Sequence, residues 1–356
     1  LRQNRVVTET AQSASTVVVD VRQTQKTRPR ILILADVPQW IFERHALTLQ
    51  KNLADEFEIE VGYMGDAIDE SRYDLIYPLE WNLVPTHHIK SPIKWITGVR
   101  SHISWNDKNP DEFGWIIREK FQQVHAVSER LCKELKGFRE DILSLTHGID
   151  LNLFQPQSKP FSNPTRIRIG WAGNRRSPAK GFEQFIAPLA DIPGVELIFC
   201  VYSDHLMNLD EMRHFYESID IYICSSSTEG NNNSLLEAAA MGRAIVTTDV
   251  GTVSEYLVHE HSALIVPRSG AAFRSAVERL RDNPHFGISL GKAAQSAVET
   301  FSWKEKFDQH RNFFRRAISI ARGCISKKFL TVESETIKLP CESNKESPFI
   351  NTTTHT

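Results

Sequence analysis

A polar turn that leads into an alanine-rich helix contains the residues whose types and spacing are best suited to chemistry. The turn and helix span Ser225 to Gly242, between a buried apolar run and a glycine stop. The first N–H groups of a helix have no partner within it and carry the positive end of the helix dipole. This helix start therefore predicts a phosphate site. Its residues are Gly230, Asn231, Asn232, Asn233 and Ser234.

Two acidic residues flank this turn. Glu229 lies just before the helix, where a carboxylate can reach hydroxyl groups beside a phosphate, and Glu237 lies about one turn inside it. A carboxylate at Glu237 can accept two hydrogen bonds from a ribose diol. The spacing is equally compatible with a plain Asn/Ser helix cap and a solvated glutamate, so both interpretations stay open at this point.

A second group of polar residues follows another apolar run. Gly173 comes at the end of the run, and Arg175, Arg176 and Lys180 come after it. Cationic side chains within hydrogen-bond reach stabilise the negative charge that grows on a departing phosphate. We expect Lys180 to make this contact. Adjacent side chains seldom face the same ligand, so one of the two arginines is expected to face solvent.

Apolar runs that alternate with helical patterns predict the scaffold that positions these residues. Strands are predicted at 30–35, 57–63, 74–77, 93–99, 124–127 and 142–145, and then at 166–171, 195–201, 219–224, 244–248 and 263–266. Helices are predicted near 46–53, 128–135, 271–281, 287–300 and 303–321. Strands that alternate with helices are typical of parallel sheets covered on both faces.

The length of 356 residues and a proline-rich break divide the chain into two predicted domains. The organisation we expect is a flexible leader at 1–29, an N-terminal domain at 30–153, a linker at 154–165, a C-terminal domain at 166–322 and a disordered tail at 323–356. Two doubly wound α/β domains in tandem leave a cleft between the carboxyl ends of their strands, where open sheets bind ligands.

Several motifs in a fixed order give the chain a family resemblance. Glu229 and Glu237, separated by seven residues and followed by AAAMGRAIVTTDVGTVSE, resemble the donor-binding domain of retaining glycosyltransferase family 4, or glycosyl transferases group 1. Other matching pieces are Gly173 with Lys180-Gly181, the strand-to-helix junction 124–128, and the segment HGIDLNLFQP at 147–156. The resemblance spans about residues 30–316.

The resemblance implies a fold, a reaction and roles for residues. The fold is α/β of the GT-B type, with two doubly wound Rossmann-like domains facing across a cleft. The reaction is transfer of a sugar from a UDP- or GDP-sugar to a hydroxyl acceptor with retention of anomeric configuration. The diphosphate is held by Lys180, one of Arg175 and Arg176, and the amides near 231–234, while Glu229 orients the sugar, Glu237 binds the ribose and His102 lines the acceptor side.

The chain departs from the family pattern at two places. The loop after the first strand, at 36–45, has no glycine for close backbone approach to the donor, so we expect an acceptor wall built from side chains. Trp40 in that loop is interpreted either as a platform that stacks on sugar or as plain interdomain packing. Asn174 stands where the family tends to have arginine.

Composition excludes several other classes of protein. The net charge of −2 gives no field for nucleic acid, and the 13 histidines show no metal-binding helix motif, nor is there an Asp-x-Asp pair. We therefore expect a metal-independent enzyme with no cofactor beyond its donor substrate. The five cysteines are scattered and predicted to be reduced thiols. With no apolar run of membrane length, a cytoplasmic location is expected.

The last predicted helix is basic and amphipathic, and it has two interpretations. Arg311, Arg315 and Arg316 alternate with Phe313, Phe314 and Ile318. The helix either contacts the inner face of a membrane peripherally or packs back across the interdomain cleft, as the terminal helix of GT-B enzymes does. We favour packing, although the two can coexist.

Two other functions remain compatible with the same motifs. A GT-B-type sugar-nucleotide epimerase or hydrolase would convert the donor without an acceptor. A catalytically silent module would bind a sugar nucleotide or a glycan without turnover, and the missing glycine loop and Asn174 favour that alternative.

Overall fold

The N-terminal half is a parallel sheet with helices on its faces. The structure is a computed structural model that describes residues 28–163, 165–202, 204–205 and 207–323. Its first six strands are β1 Arg30–Ala35, β2 Glu58–Tyr63, β3 Leu75–Pro78, β4 Ile96–Val99, β5 Gln123–Ala126 and β6 Leu143–Ser144. They pair in the orders β2-β1-β3 and β4-β5-β6, and a parallel bridge between Ile76 and Trp95 joins the two sets. The accompanying helices are α1 Ile41–Asn52, α2 Pro110–Glu119 and α3 Glu129–Leu135.

The C-terminal half is a second parallel sheet of the doubly wound kind. Its strands are β7 Ile167–Gly173, β8 Val195–Val201, β9 Ile221–Cys224, β10 Ala244–Thr247 and β11 Leu264–Ile265, in the order β8-β7-β9-β10-β11. The helices are α4 Leu209–Glu217, α5 Asn233–Ala240, α6 Val253–Tyr256, α7 Gly270–Asp282, α8 Pro284–Ala297 and α9 Trp303–Ala321. In such sheets the ligand crevice lies outside the carboxyl ends of the strands, where the strand order reverses. Here that reversal lies between β7 and β9.

The predicted strands and helices are found close to their predicted positions, and three helices, α2, α4 and the four-residue α6, were missed. The α2 helix begins after the cap Asn109, whose side chain accepts from Asp111 N and Glu112 N. The α4 helix begins with a capping box formed by Asn208 and Glu211. The starts of α2 and α4 carry the Asn-capped signature of a helix, but both helices are short, so periodicity alone did not predict them.

The segment predicted as a linker is attached to the C-terminal half. Within it, Gln157 N donates to Glu217 at 2.6 Å and Phe161 N donates to Asp220 at 2.7 Å, and no described residue of the segment lies in an α-helix or strand. The predicted leader 1–29 lies outside the described residues apart from Arg28 and Pro29, and the predicted tail 323–356 apart from Gly323. The domain limits therefore stay predictions.

The last helix returns to the N-terminal half and packs there. On α9, Phe313, Phe314 and Ile318 are buried in the same core cluster as residues of β1 and β3. Arg311 donates to Glu56 at 2.9 Å, and Arg315 donates to the same carboxylate at 2.7 Å. The apolar face and two of the basic residues are thus used within the molecule, which is the packing interpretation. Of the helices within the described ranges, none has the length and apolarity needed to span a bilayer.

Cysteine and histidine side chains fill part of the interior. Cys132, Cys200 and Cys224 are buried free thiols, and Cys324 and Cys341 lie outside the described residues. Four buried imidazoles lie near the junction of the two halves, and those of His45 and His147 stack with ring centroids 4.1 Å apart. The buried imidazoles are those of His45, His125, His147 and His310. Burial lowers the pKa of all four, and that of His310 falls to about 4.

Replacing His310 by phenylalanine should make stability less dependent on acidic pH. The unfolded chain binds a proton at this histidine below about pH 6.5, whereas the folded chain does so only near pH 4, so folding loses stability as the pH falls through that window. His310→Phe should therefore reduce the slope of unfolding free energy against pH by about 1 kcal/mol per pH unit between pH 5 and pH 7, since the two states differ by less than one full proton over this interval. Denaturant titrations at pH 5 and pH 7 measure this slope.

A matched substitution and an opposing group define the comparison. The exposed His285, changed to phenylalanine, should leave the slope as in the wild type. Burial raises the pKa of Glu80 to about 7, which opposes the histidine effect, but Glu80 is the same in all three proteins and cancels. Equal slopes in the wild type and His310→Phe would show that His310 is not held neutral by the fold.

Candidate functional site

A cleft of about 820 Å³ lies between the two halves of the molecule. Its N-terminal wall is the start of α1, including Trp40, Arg44 and Leu47. Its C-terminal wall consists of Lys180, Tyr202, the first turn and a half of α4, and the turn from Glu229 into α5. The cleft therefore lies at the carboxyl ends of the C-terminal strands, where the fold predicts a ligand.

Lys180 and Glu229 are brought together on this wall. The Lys180 ammonium forms an ion pair with the Glu229 carboxylate, and Ser226 Oγ donates to the same oxygen, Oε1, at 2.6 Å. Burial lowers the pKa of Lys180, but the charge and hydrogen bond of Glu229, together with Cys224 and Tyr202, outweigh this and the pKa is raised overall. Lys180 therefore carries a positive charge at neutral pH, and it faces the cleft. Its partner Glu229 is 49 residues away in sequence.

The start of α5 presents free backbone donors beside this pair. Asn232 caps the helix by accepting from Leu235 N at 3.1 Å, and the Ser234 hydroxyl is bonded to that of Tyr202 at 2.8 Å. Among the described residues, no hydrogen-bond partner is found for the N–H groups of Asn233 and Ser234. Two backbone donors with the positive end of a helix dipole suit an anion.

The Asn231 side chain connects neighbouring segments of the chain at the same turn. Its Oδ1 accepts from the Thr252 hydroxyl at 2.7 Å, and its Nδ2 lies 3.2 Å from Nε2 of His147. The side chain thereby links three segments of the chain, although Asn231 also lines the cleft. Any contact with a phosphate by this side chain would require breaking one of these bonds.

Gly230 lies at a close contact between the two halves. A Cβ built on it would overlap the backbone carbonyl oxygen of Arg100 and lie 2.9 Å from Val127 Cγ2, both in the N-terminal half. Gly230 does not line the cleft described above. Its lack of a side chain permits close approach of the two halves, and its contact with the donor stays a prediction.

Glu237 is buried and fully partnered. Its side chain is 3% exposed; Oε1 accepts from Arg44 Nη2 at 2.8 Å, and Oε2 accepts from the Tyr216 hydroxyl at 2.8 Å. The alternative of a solvated helical carboxylate is therefore wrong. Because so little of this carboxylate is exposed, a ribose could reach it only if one of the side chains that cover it moved.

The two arginines proposed for the diphosphate lie elsewhere. The Arg175 guanidinium lies 4.4 Å from the ring centroid of Phe182 and 5.5 Å from that of Phe199, and Arg176 is exposed. Neither lines the cleft, nor does Gly173, which ends β7 and packs against Trp171. The prediction that one of these arginines joins Lys180 stays a prediction, and it would require Arg175 to leave its aromatic contacts or Arg176 to turn in from the surface.

His102 lies beside the cleft and not on its wall. Its Nε2 is 2.7 Å from Glu134 Oε2, and its Nδ1 is 2.9 Å from Thr228 Oγ1. Both ring nitrogens thus have partners, and the role of His102 on the acceptor side stays a prediction. The contact with Thr228 places His102 at the junction of the two halves. Thr228 directly precedes Glu229 in the sequence.

Arg44, Tyr202 and Tyr216 contribute to the site and were not predicted from the sequence. Arg44 and Tyr202 line the cleft, and Tyr216 supports Glu237 from behind. Trp40 contacts Tyr202 edge-on with ring centroids 6.0 Å apart, so it makes an interdomain contact while lining the cleft. The spacing of four residues between Trp40 and Arg44, which places both on one helix face, was the signal that could have indicated Arg44.

Within residues 28–163, 165–202, 204–205 and 207–323, no group of three or more His, Cys, Asp or Glu side chains is placed to hold a metal ion. Metal independence stays a prediction to be tested.

Comparisons with known proteins agree with the resemblance and with the fold. Residues 200–283 match the family model of glycosyl transferases group 1. The chain is 24% identical over 192 residues to the putative glycosyltransferase EpsD of Bacillus subtilis, covering 52% of this chain and 48% of EpsD. The aligned segment thus spans about half the length of that relative. The predicted resemblance to glycosyl transferases group 1 is confirmed; family 4 and the retaining outcome stay predictions.

Solved structures confirm the predicted fold class. Sucrose-phosphate synthase from Thermosynechococcus elongatus superposes with a TM-score of 0.68 at 15% identity, covering 82% of this chain and all of the other. HepE of Anabaena, solved in complex with UDP-glucose, gives a TM-score of 0.65 at 14% identity, covering 81% of this chain and all of HepE. The chain has the α/β GT-B fold, with two Rossmann-like domains facing across the cleft.

Proposed function

We propose that the protein is a glycosyltransferase that transfers a sugar from a nucleoside-diphosphate sugar to a hydroxyl group with retention of configuration. The observation that carries this proposal is the placement of the Lys180 and Glu229 ion pair beside the free N–H groups of α5, on one wall of the interdomain cleft. A cation and a helix start suit a diphosphate, and a carboxylate beside them suits sugar hydroxyls. The family match and the UDP-glucose bound to HepE support the same class of donor.

The residues of the cleft have different roles in the proposed reaction. Lys180 and the amides of Asn233 and Ser234 stabilise the charge that grows on the diphosphate as its bond to the sugar breaks. Glu229 orients the sugar, and Glu237 binds the ribose. The acceptor enters on the face that the diphosphate leaves, and the departing phosphate takes the proton of the acceptor hydroxyl. The proposal includes no covalent intermediate on the enzyme.

Several finer features belong to this proposal. We propose that no divalent cation is needed, because Lys180 and the α5 amides occupy the position where a cation would act. A cytoplasmic location and a peripheral membrane contact are separate proposals. The described part of α9 gives the membrane contact little support, because Arg311 and Arg315 are paired with Glu56.

A panel of UDP- and GDP-sugars tests the proposed function. A donor present at 100 times its dissociation constant should stabilise the folded chain by about 2.7 kcal/mol, which a thermal unfolding scan measures. The stabilising donor is then incubated with candidate hydroxyl acceptors, with and without excess EDTA. Transfer in both reactions is the expected result. Failure of every nucleotide sugar to stabilise the protein would contradict the proposal.

The same assay separates the alternative functions. Conversion of the donor in the absence of acceptor would indicate an epimerase or a hydrolase. Donor binding without turnover on any acceptor would indicate a silent binding module. Loss of transfer in EDTA, restored by magnesium or manganese, would show that the metal-free part of the proposal is wrong.

A further inference from the structure

The cations on the cleft wall are few for a diphosphate ligand. The diphosphate of a nucleoside-diphosphate sugar carries about two negative charges at neutral pH, so it is well matched by more than one cationic partner. Among the described residues that line the cleft, the lysine and arginine residues are Lys180 and Arg44. Arg175 is stacked on Phe182, and Arg176 is exposed outside the cleft. Arg44 is therefore the remaining arginine with access to a bound diphosphate.

Arg44 is bonded to the carboxylate of Glu237, which the proposed function assigns to the ribose. Its Nη2 donates to Glu237 Oε1 at 2.8 Å across the two halves, and its side chain is 33% exposed while that of Glu237 is 3% exposed. Tyr216 holds the other carboxylate oxygen from the buried side. Because the Glu237 side chain is almost fully covered, a ribose that enters from the cleft can reach Oε1 only when the guanidinium moves away.

The distances along α5 place a new partner close to the displaced guanidinium. Glu237 is four residues after Asn233, which corresponds to about 6 Å along a helix axis. A phosphate at the helix start and a ribose at Glu237 are therefore neighbours, as they are within a nucleotide. An arginine side chain can cover that distance, and its planar fork of donors binds phosphate oxygens well.

We propose that Arg44 is the second cation of the donor site: it pairs with Glu237 as the structure shows, and passes to the diphosphate when the donor ribose takes its place. This inference rests on the proposed function. It also gives a physical use to the glycine-free loop at 36–45, because a side chain from α1 supplies the contact that close backbone approach would otherwise make. Donor binding would then bring the N-terminal half onto the leaving group through Arg44.

Calorimetric titration of the full chain with UDP and with uridine tests this inference. Uridine has the ribose but no phosphate, so the ratio of the two dissociation constants reports on phosphate contacts alone. Arg44→Met should reduce the preference for UDP over uridine roughly tenfold or more, as expected for loss of a charged hydrogen bond. Arg44→Lys should recover part of the preference, because it keeps the charge and loses the fork. GDP and guanosine replace these probes if the donor panel selects guanine.

The matched control is another arginine that joins the two halves. Arg130 donates to Asp249 at 2.7 Å, outside the cleft, so Arg130→Met removes an interdomain ion pair without touching the donor site. Its preference for UDP over uridine should equal that of the wild type. If Arg130→Met lowers the preference as much as Arg44→Met does, the effect comes from interdomain contact and the inference is wrong.

Other outcomes overturn the inference in distinguishable ways. An unchanged preference in Arg44→Met, or tighter binding of UDP and uridine by the same factor, would show that Arg44 only competes with the ribose. Should Arg44→Met fail to fold, Arg44→Lys decides, since a wild-type preference in that variant would exclude a bidentate phosphate contact. If the wild type binds neither UDP nor GDP, the proposed function fails and this inference fails with it.

Discussion

Replacing Lys180 by methionine should lower kcat by roughly 10²- to 10³-fold, equivalent to about 2.7–4 kcal/mol of barrier. The ammonium group stabilises charge that develops on the leaving group, so its effect is larger in the transition state than in the bound donor. KM for the donor should therefore rise much less than kcat falls. Initial rates with the donor and acceptor found in the panel measure both constants.

Loss of Lys180 also affects the folded chain, and the controls separate the two effects. The Glu229 side chain is 15% exposed, so removing its cation should cost roughly 1–3 kcal/mol of stability. The double variant Lys180→Met, Glu229→Gln restores neutrality at the site and should regain stability without regaining activity. Lys292→Met, which changes an exposed lysine of α8, should leave both stability and kcat unchanged. Near-normal turnover in Lys180→Met would remove this residue from the proposed mechanism.

The secondary structure follows from local patterns to a large degree. The apolar run at Val195–Val201 and the periodic segment at Trp303–Ala321 coincide with β8 and α9. Such elements are predictable because burial on one or both faces imposes a period on the sequence. The short α4 was missed, since its buried residues do not extend over enough turns to establish a period.

The candidate site was only partly predictable, and the missing part concerns contacts between the two halves. The residue types at Lys180 and Glu229 indicated a site within the C-terminal half, and the structure brings them together. In contrast, Arg44 and Glu237 are 193 residues apart, and the sequence around either residue does not indicate a contact with the other. His102 was placed correctly at a strand end, but its hydrogen bonds to Glu134 and Thr228 depend on three segments meeting in space.

Substituting alanine for Gly230 should weaken the contact between the two halves. The added methyl group would overlap the Arg100 carbonyl, and a backbone atom cannot rotate away as a side chain can. Steric overfilling of a packed interface typically costs 1–3 kcal/mol. We expect a loss of unfolding free energy of about this size, a larger radius of gyration in small-angle scattering as the halves separate, and a fall in transfer activity.

A second glycine provides the control for this substitution, and the outcome decides between two roles. A Cβ on Gly270, at the start of α7, would meet its nearest neighbour, Gln184 O, at 4.0 Å, so Gly270→Ala should keep or slightly raise the stability. If Gly230 instead contacts the donor, as the sequence predicted, Gly230→Ala should bind UDP less tightly while its stability and radius of gyration match those of the wild type. Because a clash acts on the domain arrangement and a ligand contact acts on binding alone, these measurements separate the two roles.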